Sequence, residues 1–212
     1  MNFTLGLFDL FTYAVPGSLH LAILIYVAEA LGWIDITQAA NISSVLLIII
    51  IAIASFLLGH ITYPLASLAE RVLRLRDLRA LDAKRDFVAK YPGSTSRHFL
   101  QADPSLLLAA VELHDKEVST EIVRLRSVGL MLRNSSLALA FATVTALVRL
   151  TIGGDRIPVT VCAIVFLLAT VGSYWQGQTL RHWANSTTLE ICSLILDIDD
   201  KIKPLTGEHR PK

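Results

Sequence analysis

Residues 41–90 constrain this chain more than any other stretch. The run NISSVLLIIIIAIASFLLGHITYPL opens at Asn41 and is the most apolar in the sequence. With no linker-like Gly/Pro stretch between them, it passes into ASLAERVLRLRDLRALDAKRDF, which is dense in arginine. An apolar core of about 20 residues matches a hydrocarbon layer about 30 Å thick. The stretch therefore reads as a helix that crosses a membrane and continues, basic, into the cytoplasm. Composition agrees: 53% of the 212 residues are hydrophobic and the mean hydropathy is +0.56, beyond an ordinary soluble domain.

Three more segments have the same character. Val15–Trp33 begins with Pro16-Gly17, and a proline suits a first helical turn, where its missing N–H has no partner to lose. Val128–Ile152 and Pro158–Gln176 flank the turn Gly153-Gly154-Asp155 and are expected to lie antiparallel. The expected fold is all-α and polytopic, with four transmembrane helices: the first two in 15–65, the others in 128–176. Met1–Tyr13 places Phe3, Leu7, Phe8 and Phe11 on one side. It reads either as an interfacial segment (residues 1–14) or as the start of the first span. That first span lacks a basic leading region and a small-residue cleavage site, so no cleavable signal peptide is expected.

Charge placement sets the orientation. Of the 19 Lys and Arg, all but Arg149 and Arg156 lie on or border the side holding both termini and Leu65–Ser127. That bias puts both termini in the cytoplasm. Ala66–Lys90, Pro104–Val128 and Gln178–Lys203 each run about 25 residues, or about 37 Å as helix. Three spans are thus expected to continue into a cytoplasmic helical bundle: a hairpin at 66–127 and a C-terminal helix and tail at 177–212. In the first extension Leu68, Val72, Leu75, Leu78 and Leu81 form a stripe, with Arg71, Arg74, Arg79 and Lys84 elsewhere. Glu70 and Arg74 have favourable i,i+4 spacing. The second extension starts at Asp103-Pro104, a good N-cap and first position, and its pattern runs unbroken to Ile152. The third carries Glu190, Asp197, Asp199 and Asp200, acids suited to pair with the first, and continues to Pro204.

Catalytic and cofactor signatures are missing: no HExxH, Walker loop, GxGxxG, GxSxG or CxxC occurs. No enzyme activity, cofactor or metal is expected, and a net charge of +1 gives no reason to expect nucleic acid. Within Glu112–Glu117 only His114 and Glu117 are spaced to meet on a helix, which reads as a solvated face. Cys162 and Cys192 sit on separate segments and read as small hydrophobes rather than a disulfide.

The candidate functional residues lie in the spans. Gly59, His60 and Pro64 cluster where the second span meets its basic extension. Pro64 removes a backbone donor, so this is the candidate hinge or gate. His20 is deep in the first span, and with His60 it would line a pathway if one exists. Glu29 falls at headgroup depth beside Trp33. Arg149 either snorkels to the headgroups or pairs with Glu29. Ser55-xxx-Gly59, Ala138-xxx-Ala142-xxx-Ala146 and Ala169-xxx-Ser173-xxx-Gly177 are ridges that let backbones approach. Three ridges exceed what a lone four-span bundle needs, which points to a homo-oligomer.

The start FDLFTYAVPG and the middle VSTEIVRLRSVGLMLRNSS resemble segments of small multi-span bacterial inner-membrane proteins. Some proteins of that build are effectors of anti-phage or abortive-infection systems that depolarise or permeabilise the inner membrane. The resemblance implies a multi-pass bacterial inner-membrane location and a role in antiviral defence. Together these readings lead to an oligomeric, channel-like or membrane-perturbing effector controlled through its cytoplasmic bundle. The alternative is a non-conducting anchor or scaffold that recruits a soluble cytoplasmic partner.

Overall fold

The computed structural model describes residues 3–39, 43–72, 83–95, 97–153, 156–196 and 198–199. Regular structure among them is helical: α1 (Phe3–Ala30), α2 (Ile36–Ala39), α3 (Ser44–Val72), α4 (Ala83–Lys90), α5 (Pro104–His114), α6 (Lys116–Ile152) and α7 (Arg156–Leu194). Two 3-10 turns, Pro92–Ser94 and His98–Gln101, lie between α4 and α5. Among the described residues, α1, α3, α6 and α7 are long and apolar enough to cross a membrane. α6 and α7 have 37 and 39 residues, more than 50 Å of helix at about 1.5 Å per residue. A hydrocarbon layer of about 30 Å cannot hold all of either. The start of α6 is charged, with Lys116, Glu117, Glu121, Arg124 and Arg126.

The chain divides into two units: Met1–Arg79 with Ser127–Gln178, and Ala80–Arg126 with Thr179–Lys212. Their interiors differ in kind. In the first, the buried hydrophobic side chains are Ala66, Ala138, Ala142 and Ala163, besides the ring of Pro16. The rest of its buried side chains are polar: Thr12, His20, Ser55, Thr62, Ser127, Arg133, Asn134, Ser135, Ser136 and Thr143. Among the described residues of this unit, no Leu, Ile, Val or Phe is fully buried. Its exposed surface carries them instead, among them Ile48, Ile53, Leu57, Ile61, Leu147, Ile164, Leu168 and Val171. Water would penalise that arrangement; hydrocarbon does not, and helices there associate through small and polar residues.

The second unit has a conventional apolar core. Phe87, Phe99, Leu107, Val111, Ile122, Leu189, Cys192 and Ile198 are buried together. Phe87 packs edge-on against Phe99 with centroids 6.0 Å apart. Full burial of a side chain such as Phe99 is worth about 1.5–3 kcal/mol. Lys90 and Glu190 do meet, at 2.7 Å, as expected for the first and third extensions. Arg97 pairs with Asp199, whose other oxygen accepts the Phe99 N–H at 3.0 Å.

Several helix ends follow their sequence signals. Gly32 ends α1 with φ 71°; its N–H donates to the Glu29 carbonyl and that of Trp33 to Ala28, a Schellman closure that needs the left-handed conformation. Asp103 caps α5 by accepting from the Ser105 N–H at 2.7 Å. The hydroxyl and N–H of Ser105 hold that carboxyl below its usual range.

Other expectations are corrected. Pro16 lies inside α1, not in a first turn, so the backbone of Phe3–Tyr13 belongs to the same helix as the span. The side chains of residues 3–9, including Phe3, Leu7 and Phe8, lie outside the described set. The pattern from Pro104 to Ile152 is broken at Asp115, whose backbone is extended (φ −146°, ψ 107°). Its N–H closes α5 on the Val111 carbonyl at 2.7 Å. Its carboxylate opens α6 by accepting from Glu117 N–H at 2.9 Å and Val118 N–H at 3.1 Å. His114 and Glu117 therefore sit on different helices. α7 stops at Leu194 rather than Lys203. Residues 73–82, with Arg74, Arg76, Arg79, Leu75, Leu78 and Leu81, and most of the tail, with Asp197, Asp200 and Ile202, lie outside the described residues. The second extension is thus broken at Asp115 and the helix of the third ends at Leu194, so these two are not equal uninterrupted rods.

Candidate functional site

α1 and α3 cross with their backbones in contact. A Cβ built on Gly17 would lie 1.7 Å from the Ser55 carbonyl oxygen and 2.7 Å from Gly59 N. One on Gly59 would lie 1.9 Å from the Tyr13 carbonyl oxygen. The Ser55-xxx-Gly59 ridge is therefore used within the chain, and its partner is Gly17, a residue whose place after Pro16 suggests only a helix start. Around the crossing, the Tyr13 ring lies 3.9 Å from the His60 ring and 6.0 Å from Tyr63, centroid to centroid. Phe56 packs on His60 from one turn earlier, at 4.6 Å. α3 runs through Pro64 without a break. The Thr62 hydroxyl donates to the Gly59 carbonyl at 3.2 Å. The candidate gate is thus a cluster of aromatic ring contacts in which His60 itself is exposed. His20 sits elsewhere: its Nδ1 is 2.8 Å from the Pro16 carbonyl, and its ring meets Phe141 edge-on at 6.0 Å. The structure does not bring His20 and His60 together.

The same unit buries a charge pair. Arg133 Nη1 lies 3.6 Å from Glu70 Oε2, with side chains only 7% and 15% exposed. Gln178 Nε2 donates to the other Glu70 oxygen at 3.2 Å. Arg133 Nη2 donates to Asn134 Oδ1 at 3.4 Å, and the guanidinium stands 5.2 Å from the Tyr63 ring centroid. Arg133 Nε and Asn134 Nδ2 are buried without a protein partner. Sequence spacing had offered Glu70 a partner on its own helix, whereas its described partner comes from α6. One signal pointed there: Arg133-Asn134-Ser135-Ser136 covers the whole circumference of a helix at about 100° per residue. Four polar neighbours in an apolar helix require protein on every side. All four are buried.

The remaining candidates divide. Gly177 makes the close approach of α7 to α6: a Cβ there would lie 2.9 Å from the Gly129 carbonyl oxygen and 3.2 Å from Arg133 N. Ala169 and Ser173, on the same ridge, are half-buried. Ala138 and Ala142 are buried, while Ala146 is half-buried. Glu29 and Arg149 are exposed, and no ion pair joins them among the described residues. Arg149 instead lines a cavity of about 390 Å³ between α1, α6 and α7. Among the described residues, no three His, Cys, Asp or Glu side chains gather as a metal site. Compared with models of known protein families, with curated proteins and with solved structures, the chain matches none.

Proposed function

We propose that this protein is an oligomeric, multi-pass inner-membrane effector whose membrane unit forms or gates a conducting pathway. The second unit is its cytoplasmic control domain, and the reading involves no catalytic step. The observation that supports it most is the polar interior of the first unit, built around Glu70 and Arg133. Ionisable side chains inside a membrane unit mark ion paths and switches more often than simple packing. The knot of Tyr13, Phe56 and His60 is then the shut state, with α1 and α3 held together at Gly17 and Gly59. The resemblance to bacterial membrane effectors agrees with a protein kept shut until its control domain is engaged. Induced expression with a membrane-potential dye tests this. Depolarisation that Glu70→Gln alters, at equal membrane insertion, supports the reading. An inserted protein that never depolarises under infection or other stress removes it.

A second reading has its own support. The second unit carries a self-contained apolar core, as a recruiting domain would. In that case the membrane unit is an anchor that tethers a soluble partner and never conducts. Zero ion flux in liposomes, with a stoichiometric partner retained from native membranes, selects the anchor.

A further inference from the structure

The cavity lined by Arg149 points to a ligand. It holds about 390 Å³, within the roughly 300–1,000 Å³ typical of small-molecule sites. Its walls come from all three neighbouring helices: Tyr26 of α1, Ala142 and Ala146 of α6, and Val159, Cys162 and Phe166 of α7. These are apolar apart from the Tyr26 hydroxyl. Thr145 also lines it, but its hydroxyl is committed to the Phe141 carbonyl at 2.9 Å. Arg149 is the single charged residue of the lining, and among the described residues it has no ion-pair or hydrogen-bond partner. It lies one turn from the end of α6. The Ala138-xxx-Ala142-xxx-Ala146 ridge supplies the room: its first two residues are buried, and the third opens a crevice instead of a helix contact.

We infer that this crevice binds one anionic phospholipid of the surrounding bilayer, an acyl chain between α1, α6 and α7 and the headgroup phosphate on Arg149. An apolar slot on helices that span hydrocarbon is filled by hydrocarbon, and the Arg149 guanidinium, unpaired among the described residues, matches a phosphate with a two-pronged hydrogen bond. Tyr26, an exposed residue of the lining, adds an amphipathic ring. The inference requires these helices to lie in a bilayer but not that they conduct.

The test uses the full chain in phosphatidylcholine nanodiscs, with phosphatidylglycerol of the same acyl chains titrated in. Protein-bound lipid is read by native mass spectrometry. Wild type should retain one phosphatidylglycerol in preference to phosphatidylcholine. Arg149→Gln should lose that preference by roughly tenfold or more, the usual scale for a charge-assisted hydrogen bond. Arg149→Lys should keep part of it, which separates charge from folding. Ala146→Phe should exclude the lipid while leaving Arg149 in place. Equal retention of both lipids by wild type, or unchanged preference in Arg149→Gln, overturns the proposal. Inorganic phosphate that displaces phosphatidylglycerol at millimolar concentration also overturns it, because the site would then read the headgroup alone.

Discussion

Gly17→Ala tests the crossing of α1 and α3 most sharply. The new methyl would sit 1.7 Å from the Ser55 carbonyl oxygen. Carbon–oxygen contacts between packed helices settle near 3.3 Å, so the two backbones must part by roughly 1.5 Å at this point. A gap of even 0.5–1 Å forfeits about a quarter to a half of each contact's dispersion energy. The obstructing atom is a main-chain oxygen and cannot rotate away. The strain should therefore fall near the top of the usual overpacking range, about 3 kcal/mol. Alanine's better helix propensity offsets about 1 kcal/mol, leaving a net loss of about 2 kcal/mol. Gly172→Ala is the control: a Cβ there meets nothing within 4 Å, so only the propensity gain remains. The two variants should differ by about 3 kcal/mol in an SDS titration from mild detergent, followed by tryptophan fluorescence. Gly59→Ala should behave like Gly17→Ala, and the double variant should cost less than the sum, since one separation relieves both clashes. If Gly17→Ala unfolds together with Gly172→Ala, the backbone contact does not exist.

Three other outcomes are expected. Glu70→Gln leaves a buried guanidinium without its counter-charge and should cost about 3 kcal/mol in the same titration, whereas Glu70→Gln with Arg133→Met should recover most of it; equal losses would deny the pairing. Burial pushes the Cys192 thiol up to about 11, so in a Cys162→Ser background, which removes the exposed thiol, folded protein should resist maleimide at pH 7 and react faster only as pH rises toward that value; rapid labelling of that variant at neutral pH would contradict the buried site. Asp115→Ala removes the acceptor for two N–H groups and should cost about 1 kcal/mol, with faster hydrogen exchange at Glu117 and Val118, while Asp115→Asn should retain most of the cap.

The four long helices were legible because apolar runs of bilayer length have few other readings. The ends at Asp103 and Gly153 were legible because local turn chemistry decides them. What escaped depends on partners distant in sequence. Gly17 follows a proline and looks like a helix start; only its contact with Ser55 makes it a packing residue. Glu70 has a well-spaced arginine on its own helix, and the polar run at Arg133 says that protein surrounds it but not which acid it meets. Asp115 stands in a strong helical pattern, and its extended backbone pays off only because its carboxylate serves two amides at once. Phe99 lies in a Pro/Gly/Ser-rich connection that reads as surface loop, yet it is fully buried in the core of the second unit.

The Gly17–Gly59 crossing also bears on how the chain is assembled. α1 and α3 precede α6 and α7 in the chain, and their contact needs nothing made later. A synthesis rate of about 5–20 residues per second leaves seconds for the pair to lock before α6 emerges. Glu70 is then already in position when Arg133 arrives. The arginine finds its counter-charge already placed, so it is never packed into this unit without a partner.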